Sequence, residues 1–322
     1  AGGSGTAVDV RTRRDVCGGM AFLRRRKRQL GVVAAGVALL AGCGDDGGGT
    51  STSPPLTVMA FNVLCSFCNV REFDPWEERL AYFGDIFARH DADLIGVQEL
   101  TPLNDEVGDI AALLPGFGVI YYDPAEGTSY PDAAIFYRLE RFTVVESGEY
   151  WLSPTPEVPL SIGFARIQFP RLVVWARLRD RADGDRQLFF ATTHFDNNAP
   201  SQELSAPLLQ ERTALFAREL PVIVVGDFNS RPNSTAYGLL TEDPAAEVTF
   251  ENAFDLTEWR LETNRDPVPD YDLGDRIDHI FLAGDGVTWS ARDWVVDLTS
   301  YGANDRYPSD HFPVVATVAY ER

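Results

Sequence analysis

One α/β domain over residues 56–322 is predicted by three observations. Short apolar, β-branched runs alternate with segments of helical periodicity along the whole span. No internal repeat or low-complexity break interrupts them. Polar residues with chemical potential recur where apolar runs end, the position at which ligands gather in α/β sheets.

The elements follow in order. Predicted strands are Leu56–Val63, Leu94–Gln98, Val119–Tyr122, Ala133–Tyr137, Phe142–Tyr150, Leu172–Leu178, Gln187–Thr193, Val222–Val225, Ile277–Leu282 and Phe312–Val318, each a β-branched or aromatic run bounded by turn residues. Asp74-Pro75-Trp76-Glu77 opens the clearest helix, with Asp74 as N-cap, Pro75 in the first helical position and Glu77 in the third. Leu80, Phe83, Ile86 and Phe87 then form its apolar face, and His90 ends it, at the surface or facing the helix dipole. A second helix runs from about Gln202 to Glu219 and leads into the strand that carries Gly226-Asp227-Phe228-Asn229.

Composition narrows the function. With 322 residues, 45% of them hydrophobic, the chain is long enough to bury a large core, which excludes a disordered or fibrous protein. Its net charge is −20, and residues 1–42 hold eight Arg/Lys against two Asp/Glu, so the rest of the chain is more acidic still. Such a body repels nucleic-acid backbones at long range, which argues against a general DNA binder but leaves room for a local cationic cleft. Lys27 is the only lysine, so every later cation is an arginine, a side chain suited to bidentate phosphate contact.

The N-terminus has the pattern of an address. Arg24-Arg25-Arg26-Lys27-Arg28 precedes the apolar stretch 30–41, too short to span a bilayer and fitting a signal peptide over 20–42. It closes on Leu40-Ala41-Gly42-Cys43, which resembles the bacterial lipobox and implies lipidation of Cys43. A plain signal peptide or an uncleaved anchor is the alternative. Residues 1–19, before Met20, are expected to be an over-extended start, and residues 43–55 a flexible tether. The expected location is exported and lipid-anchored, in the outer membrane or periplasm or at the cell surface.

Six strand-end motifs carry the chemistry: Phe61-Asn62, Gln98-Glu99, Thr193-His194-Phe195-Asp196-Asn197, Gly226-Asp227-Phe228-Asn229, Asp278-His279 and Ser309-Asp310-His311. Each alone is weak, because Asn or Asp after a strand is commonly a turn former. Together, in this order, they closely resemble the endonuclease/exonuclease/phosphatase superfamily over nearly all of residues 56–320. That resemblance implies a four-layer α/β sandwich, two central mixed sheets flanked by helices, with the site where both sheets converge.

It also implies roles. Glu99 would ligate Mg²⁺, with Mn²⁺ able to substitute, alongside Asn62 directly or through water and with Asp310 as a further contact. Asp227 would orient and deprotonate the attacking water, and Asn229, on the same side of an extended segment, would donate to a phosphate oxygen. His311 matches the family's terminal histidine and Asp278 the carboxylate that orients it; His194 would touch the phosphate, and Asn197 matches an Asn of some relatives. Two readings stand for Asp196, substrate contact or turn, and two for Arg171, phosphate contact or sheet-edge salt bridge. His279 would pack beside Asp278.

Cys65 and Cys68 form a Cys-x-x-Cys just after Asn62, with a local disulfide as the leading reading ahead of two free thiols. A zinc site would need a further Cys or His at suitable spacing, and the sequence shows none.

The expected activity is hydrolysis of a phosphate ester, whether nucleic acid, phospholipid or small molecule, by a monomer with no protein partner. A catalytically inactive binding lipoprotein of the same fold is the alternative. Within the enzymes, a sphingomyelinase-like phosphodiesterase would use an exposed aromatic loop, for which Tyr150-Trp151-Leu152 is the candidate.

Overall fold

The computed structural model describes residues 51–322, apart from 69–70, 102–103, 123–131, 165–168, 264–272 and 303. The expected leader and lipidated Cys43 lie outside the described residues. In chain order the elements are β1 (Leu56–Asn62), α1 (Trp76–His90), β2 (Leu94–Leu100), α2 (Glu106–Leu113), β3 (Phe117–Tyr121) and β4 (Asp132–Arg138). Next come β5 (Phe142–Trp151), β6 (Leu172–Asp180), β7 (Arg186–His194), α3 (Ala199–Ala217), β8 (Val222–Asp227) and α4 (Thr235–Glu242). Last are β9 (Glu251–Asn252), α5 (Ala253–Leu256), β10 (Thr257–Thr263), β11 (Asp278–Ala283), β12 (Thr288–Asp297) and β13 (Val314–Glu321).

Two sheets form, in the orders β10-β12-β13-β1-β2-β4-β3 and β5-β6-β7-β8-β11-β9, and both mix parallel with antiparallel pairs. The inner strands read as continuous apolar runs because both of their faces are covered. In β1, Val58 and Ala60 face the core between the sheets, while Met59 and Phe61 pack under α1 and α2. In β8, Ile223 and Val225 face that same central core, while Val222 and Val224 belong to the cluster that includes Ala206 and Leu209 of α3. The layers are therefore helix, sheet, sheet, helix, the four-layer sandwich that the resemblance implied.

The sheets meet closely just behind the motifs. A side chain at Gly96 would collide with Val225 and Thr192 of the opposite sheet, and Gln98 Nε2 crosses the gap to Thr192 Oγ1 at 2.8 Å. Gly226 is required for a related reason: with φ 155°, a Cβ there would lie 2.1 Å from the Thr193 carbonyl oxygen.

Several local expectations are corrected. Helix α1 begins one residue later than predicted: Pro75 is the N-cap with ψ 151°, no side chain caps it, and Asp74 instead accepts from the Tyr82 hydroxyl at 3.0 Å. Helix α3 begins three residues earlier, because Asn198 caps it by accepting from the Ser201 amide. Strand β12 escapes sequence reading because a bulge between Ala291 and Asp293 shifts the alternation, so Trp289 and Ala291 share the central core with Trp294 and Val296. Tether residues 51–55 are not free: Ser53 is buried, its amide donates to the Tyr320 carbonyl and its hydroxyl accepts from the Tyr320 amide. This segment enters β1 at the end opposite Asn62. Tyr150, Trp151 and Leu152 are all buried, which removes the exposed aromatic loop.

Candidate active site

Strand register assembles the site. In one sheet Asn62 pairs with Gln98, at the ends of parallel β1 and β2. In the other, Asp227 ends β8 between two neighbours, His194 across the parallel ladder to β7 and Asp278 across the antiparallel ladder to β11. His311 arrives from the segment before β13, whose antiparallel pairing with β1 brings it to the Asn62 end.

Asp227 is the centre. It is 1% exposed, and its Oδ2 lies 3.1 Å from Asn62 Nδ2, 3.3 Å from His194 Nε2 and 3.4 Å from His311 Nε2. Its Oδ1 accepts from the Asn229 amide at 2.8 Å. Burial raises its pKa to about 6, assisted by Asp278 and opposed by His311 and by the hydrogen bonds from Asn229 and Asn62. A carboxylate poised there is suited to taking a proton near neutrality.

The two site histidines are pushed in opposite directions. Burial acts to lower His311, but the Asp278 and Asp227 carboxylates outweigh it and hold the imidazolium well above the ordinary range; Asp278 Oδ2 sits 2.8 Å from His311 Nδ1. His194 is driven well below its ordinary value by burial, then by the charges of Arg171 and His311. One histidine is thus a charged donor and the other a neutral ring. His194 Nδ1 and Asp278 Oδ1 are buried without a hydrogen-bond partner among the described residues, an unusual cost that a bound ligand would offset.

Glu99 reaches the site by a local distortion. Its φ of 60° lies in the left-handed region, within the irregularity between Val97 and Leu100 in the pairing of β2 with β4. Asn62 Nδ2 donates to Glu99 Oε1 at 3.2 Å, while Asn62 Oδ1 accepts from the Leu64 amide. Asp310 is exposed; burial lowers the pKa of Arg79, and the charges of Glu106, Asp310 and Glu99 oppose that shift. A hard divalent cation takes carboxylate oxygens, which Glu99 offers; Asn62 turns its Nδ2 toward Glu99, so in this orientation it would reach a cation through water. Asp227, Asp278 and His311 also place ligand-capable atoms within 4.8 Å of one another, but both His311 nitrogens already face carboxylates.

Other expectations come out differently. Asn229 is not on the same extended segment as Asp227: β8 ends at Asp227, Asn229 has φ 48°, and its Nδ2 donates to the Phe195 carbonyl at 3.0 Å, so one amide N–H is already committed. Asp196 forms a turn, and Arg171 faces it as a long ion pair. Asp196 Oδ1 turns back to the Asn198 amide, while its Oδ2 lies 3.9 Å from Arg171 Nε. Asn197 is exposed at the rim. His90 is half-buried in the last turn of α1, consistent with its expected place at the helix end; its Nε2 lies 2.7 Å from Asp297 Oδ2, beside an Arg89–Asp297 ion pair. Cys65 and Cys68, by contrast, are disulfide-bonded as expected.

Sequence reasoning missed the residues that hold these groups still. Arg79 is 1% exposed; its Nη1 donates to the carbonyls of Val63, Leu64 and Pro308 at 2.7, 2.9 and 3.0 Å, and its Nη2 to that of Cys65 at 3.2 Å. It thereby ties the loop after Asn62 to the loop before His311. The available signal was a charged residue three after Trp76 and four before Phe83, on the buried face of α1. Ser309 makes a parallel tie, donating to the Asn62 carbonyl at 2.7 Å and accepting from the His311 amide at 3.1 Å.

His279 is a buried strut with a measurable pH signature. Asn252 Oδ1 accepts from the Phe254 amide, so Asn252 Nδ2 faces His279 Nδ1 at 2.9 Å; the opposite ring nitrogen, Nε2, donates to the Ser230 carbonyl at 2.9 Å. The ring is held neutral, its pKa pushed down to about 3 by burial. The folded state therefore binds fewer protons than the unfolded state between about pH 6.5 and 3, so this stability is fully present above 6.5 and lost as pH falls. From pH 7 to 4.5 the loss is expected to be about 2–3 kcal/mol. Urea unfolding at both pH values checks it: His279→Gln should lose less stability on acidification than the parent, and equal losses would contradict the assignment.

The fold and the convergent Asn, Glu, Asp and His residues define a class of phosphate-ester hydrolases. The profile of the Endonuclease/Exonuclease/phosphatase family matches residues 59–311, and the chain belongs to that family. An endonuclease/exonuclease/phosphatase family protein from Bacteroides thetaiotaomicron is 27% identical, with TM-score 0.71 over 84% of this chain and 98% of its own. A mannosyl-6-phosphatase of the same organism is also 27% identical, with TM-score 0.70 over 82% of this chain and 99% of its own. Human Nocturnin is 23% identical over 310 residues, 84% of this chain; the chain spans 66% of Nocturnin's length, just under two thirds.

Proposed function

We propose that the chain is a Mg²⁺-dependent phosphoric ester hydrolase, with Mn²⁺ able to substitute, acting on a soluble phosphomonoester from an exported, lipid-anchored position. The single observation that carries the hydrolytic reading is the convergence of Asn62, His194 and His311 on one carboxylate oxygen of buried Asp227. Glu99 would hold the cation, with Asp310 as a further contact and Asn62 reaching it through water; the cation would supply Lewis-acid stabilisation of charge on the phosphate oxygens. Asp227 takes a proton from the attacking water as its oxygen bonds to phosphorus and the ester P–O bond breaks, and the leaving alkoxide takes a proton from solvent to depart as the alcohol. The His311 imidazolium, aligned by Asp278, donates to a phosphate oxygen as negative charge builds there. His194, neutral, gives its one N–H to Asp227 and does not compete for the proton. Every member of this constellation is in place, which argues against an inactive binding module.

Three features support a soluble monoester. The similarity to a mannosyl-6-phosphatase points that way, as does the acidic body, which disfavours a nucleic-acid track. Burial of Tyr150-Trp151-Leu152 removes the support for a sphingomyelinase-like reading. The anchored position rests on the sequence pattern ending at Cys43.

The test is phosphate release by the purified chain, with Mg²⁺ or with EDTA, from a panel of sugar phosphates and nucleoside monophosphates, beside plasmid DNA and sphingomyelin vesicles. Turnover of monoesters alone, abolished by EDTA and by His311→Ala, is expected. Preferential cleavage of DNA or lipid would overturn the substrate class, and an active His311→Ala the assignment of that residue.

A further inference from the structure

The Cys-x-x-Cys after Asn62 has no part in the hydrolytic chemistry, and the sequence shows no third thiol or imidazole to complete a metal site. The fold supplies a third ligand of another kind. Ligand atoms of Cys65, Cys68 and Glu99 lie within 4.8 Å of one another, because the left-handed turn at Glu99 aims its carboxylate toward the loop that follows β1. We propose that reduction of the Cys65–Cys68 disulfide converts this corner into a binding site for Zn²⁺ or another thiophilic cation, held by two thiolates and the Glu99 carboxylate.

The loop is built to keep its shape without the disulfide. Arg79 Nη2 donates to the Cys65 carbonyl, the Cys68 amide donates to the same oxygen at 3.1 Å, and Glu106 Oε1 accepts from the Ser66 amide at 2.6 Å. Glu106 Oε2 accepts from the Thr101 amide at 2.7 Å, which ties the cysteine loop to the loop after Glu99. Opening the S–S bond therefore frees two sulfur atoms on a fixed backbone. Tetrahedral zinc, with bonds of about 2.3 Å to sulfur and 2.0 Å to oxygen, needs ligand atoms roughly 3.3–3.8 Å apart, reached from this arrangement by side-chain rotation, with water in the fourth position.

The chemistry balances with an external dithiol or phosphine. A phosphine gives two electrons to the disulfide and takes oxygen from water, leaving two thiols and a phosphine oxide; the thiols release two protons when the cation binds. Soft thiolates favour zinc over the hard Mg²⁺. Because Glu99 belongs to both sites, zinc on the reduced chain would displace Mg²⁺ and stop hydrolysis; this inhibitory half alone rests on the proposed function.

The full chain is reduced with a phosphine, freed of reductant under anaerobic conditions and titrated with Co²⁺, whose thiolate charge-transfer band in the near ultraviolet reports sulfur ligation. One cobalt per reduced chain is expected, with no such band in the oxidised chain, at least tenfold weaker binding in Glu99→Gln and loss of the band in Cys68→Ser. Cys17 and Cys43 remain in every variant, so the Cys68→Ser difference isolates this pair. A reduced chain without the band, or a Cys68→Ser chain that keeps it, overturns the site. Unchanged affinity in Glu99→Gln overturns the role of the carboxylate. Zn²⁺ should then inhibit monoester hydrolysis in the reduced chain and not in the oxidised one. If cobalt binds as expected but neither form hydrolyses any ester, the metal site stands and the proposed function fails.

Discussion

Replacing Asp227 with Asn is expected to lower kcat by about 10³-fold or more, roughly 4 kcal/mol of transition-state stabilisation, with the melting temperature within a few degrees of the parent. Asn keeps an oxygen for the Asn229 amide, so the turn after β8 survives. What disappears is, among the described residues, the only buried carboxylate oxygen that faces Asn62, His194 and His311 together. An amide cannot accept the water's proton, and it presents a donor to three donors. Steady-state phosphate release and thermal melts check both halves, and a variant within tenfold of the parent would remove Asp227 from the role of base. In the parent, ionised Asp227 is the active form, so activity should fall as pH drops through about 6 in the low-metal limit.

The second large effect is expected at Arg79, which touches no reacting atom. Arg79→Met keeps an apolar stem but removes the guanidinium that lies over the Trp76 and Phe83 rings, and leaves the buried carbonyls of Val63, Leu64 and Pro308 without their donor. A loss of about 3–5 kcal/mol is expected, since removing one side of a buried charged hydrogen-bond set costs that much. At temperatures where the variant stays folded, kcat should fall about 10–100-fold, because Asn62 and His311 lose their common tie. Arg79→Lys should recover part of the stability, its single ammonium reaching fewer carbonyls than the planar fork. Urea midpoints at unchanged slope, read beside kcat, separate the two effects. A loss below about 1 kcal/mol would mean the carbonyls find other partners.

Residue patterning made much of the fold legible. The buried inner strands announced themselves as β-branched runs because covering both faces leaves no polar alternation. Elements whose pattern is broken were not legible. Strand β12 changes phase at its bulge, and β9 and α5 have two and four residues, too few for periodicity to register. The site was legible to the extent that its residues sit at strand ends. Glu99, His194, Asp227, Asp278 and His311 were named from the sequence, and the structure brings Asn62, His194, Asp227, Asp278 and His311 into one hydrogen-bonded cluster that Glu99 joins through Asn62.

What the sequence by itself determined was therefore an α/β class, read from local period, and a set of chemical groups at strand ends, whose roles the family resemblance implied. Which groups touch was decided by register and by backbone turns that local period does not encode. The left-handed turns at Glu99 and Asn229 re-aim two side chains, one toward Asn62 and the cysteine pair, the other away from Asp227 onto the Phe195 carbonyl. The buried face of α1 made Arg79 a tie rather than a surface cation. Both outcomes depend on contacts between residues tens to hundreds of positions apart, and such contacts exist only once the two sheets have packed.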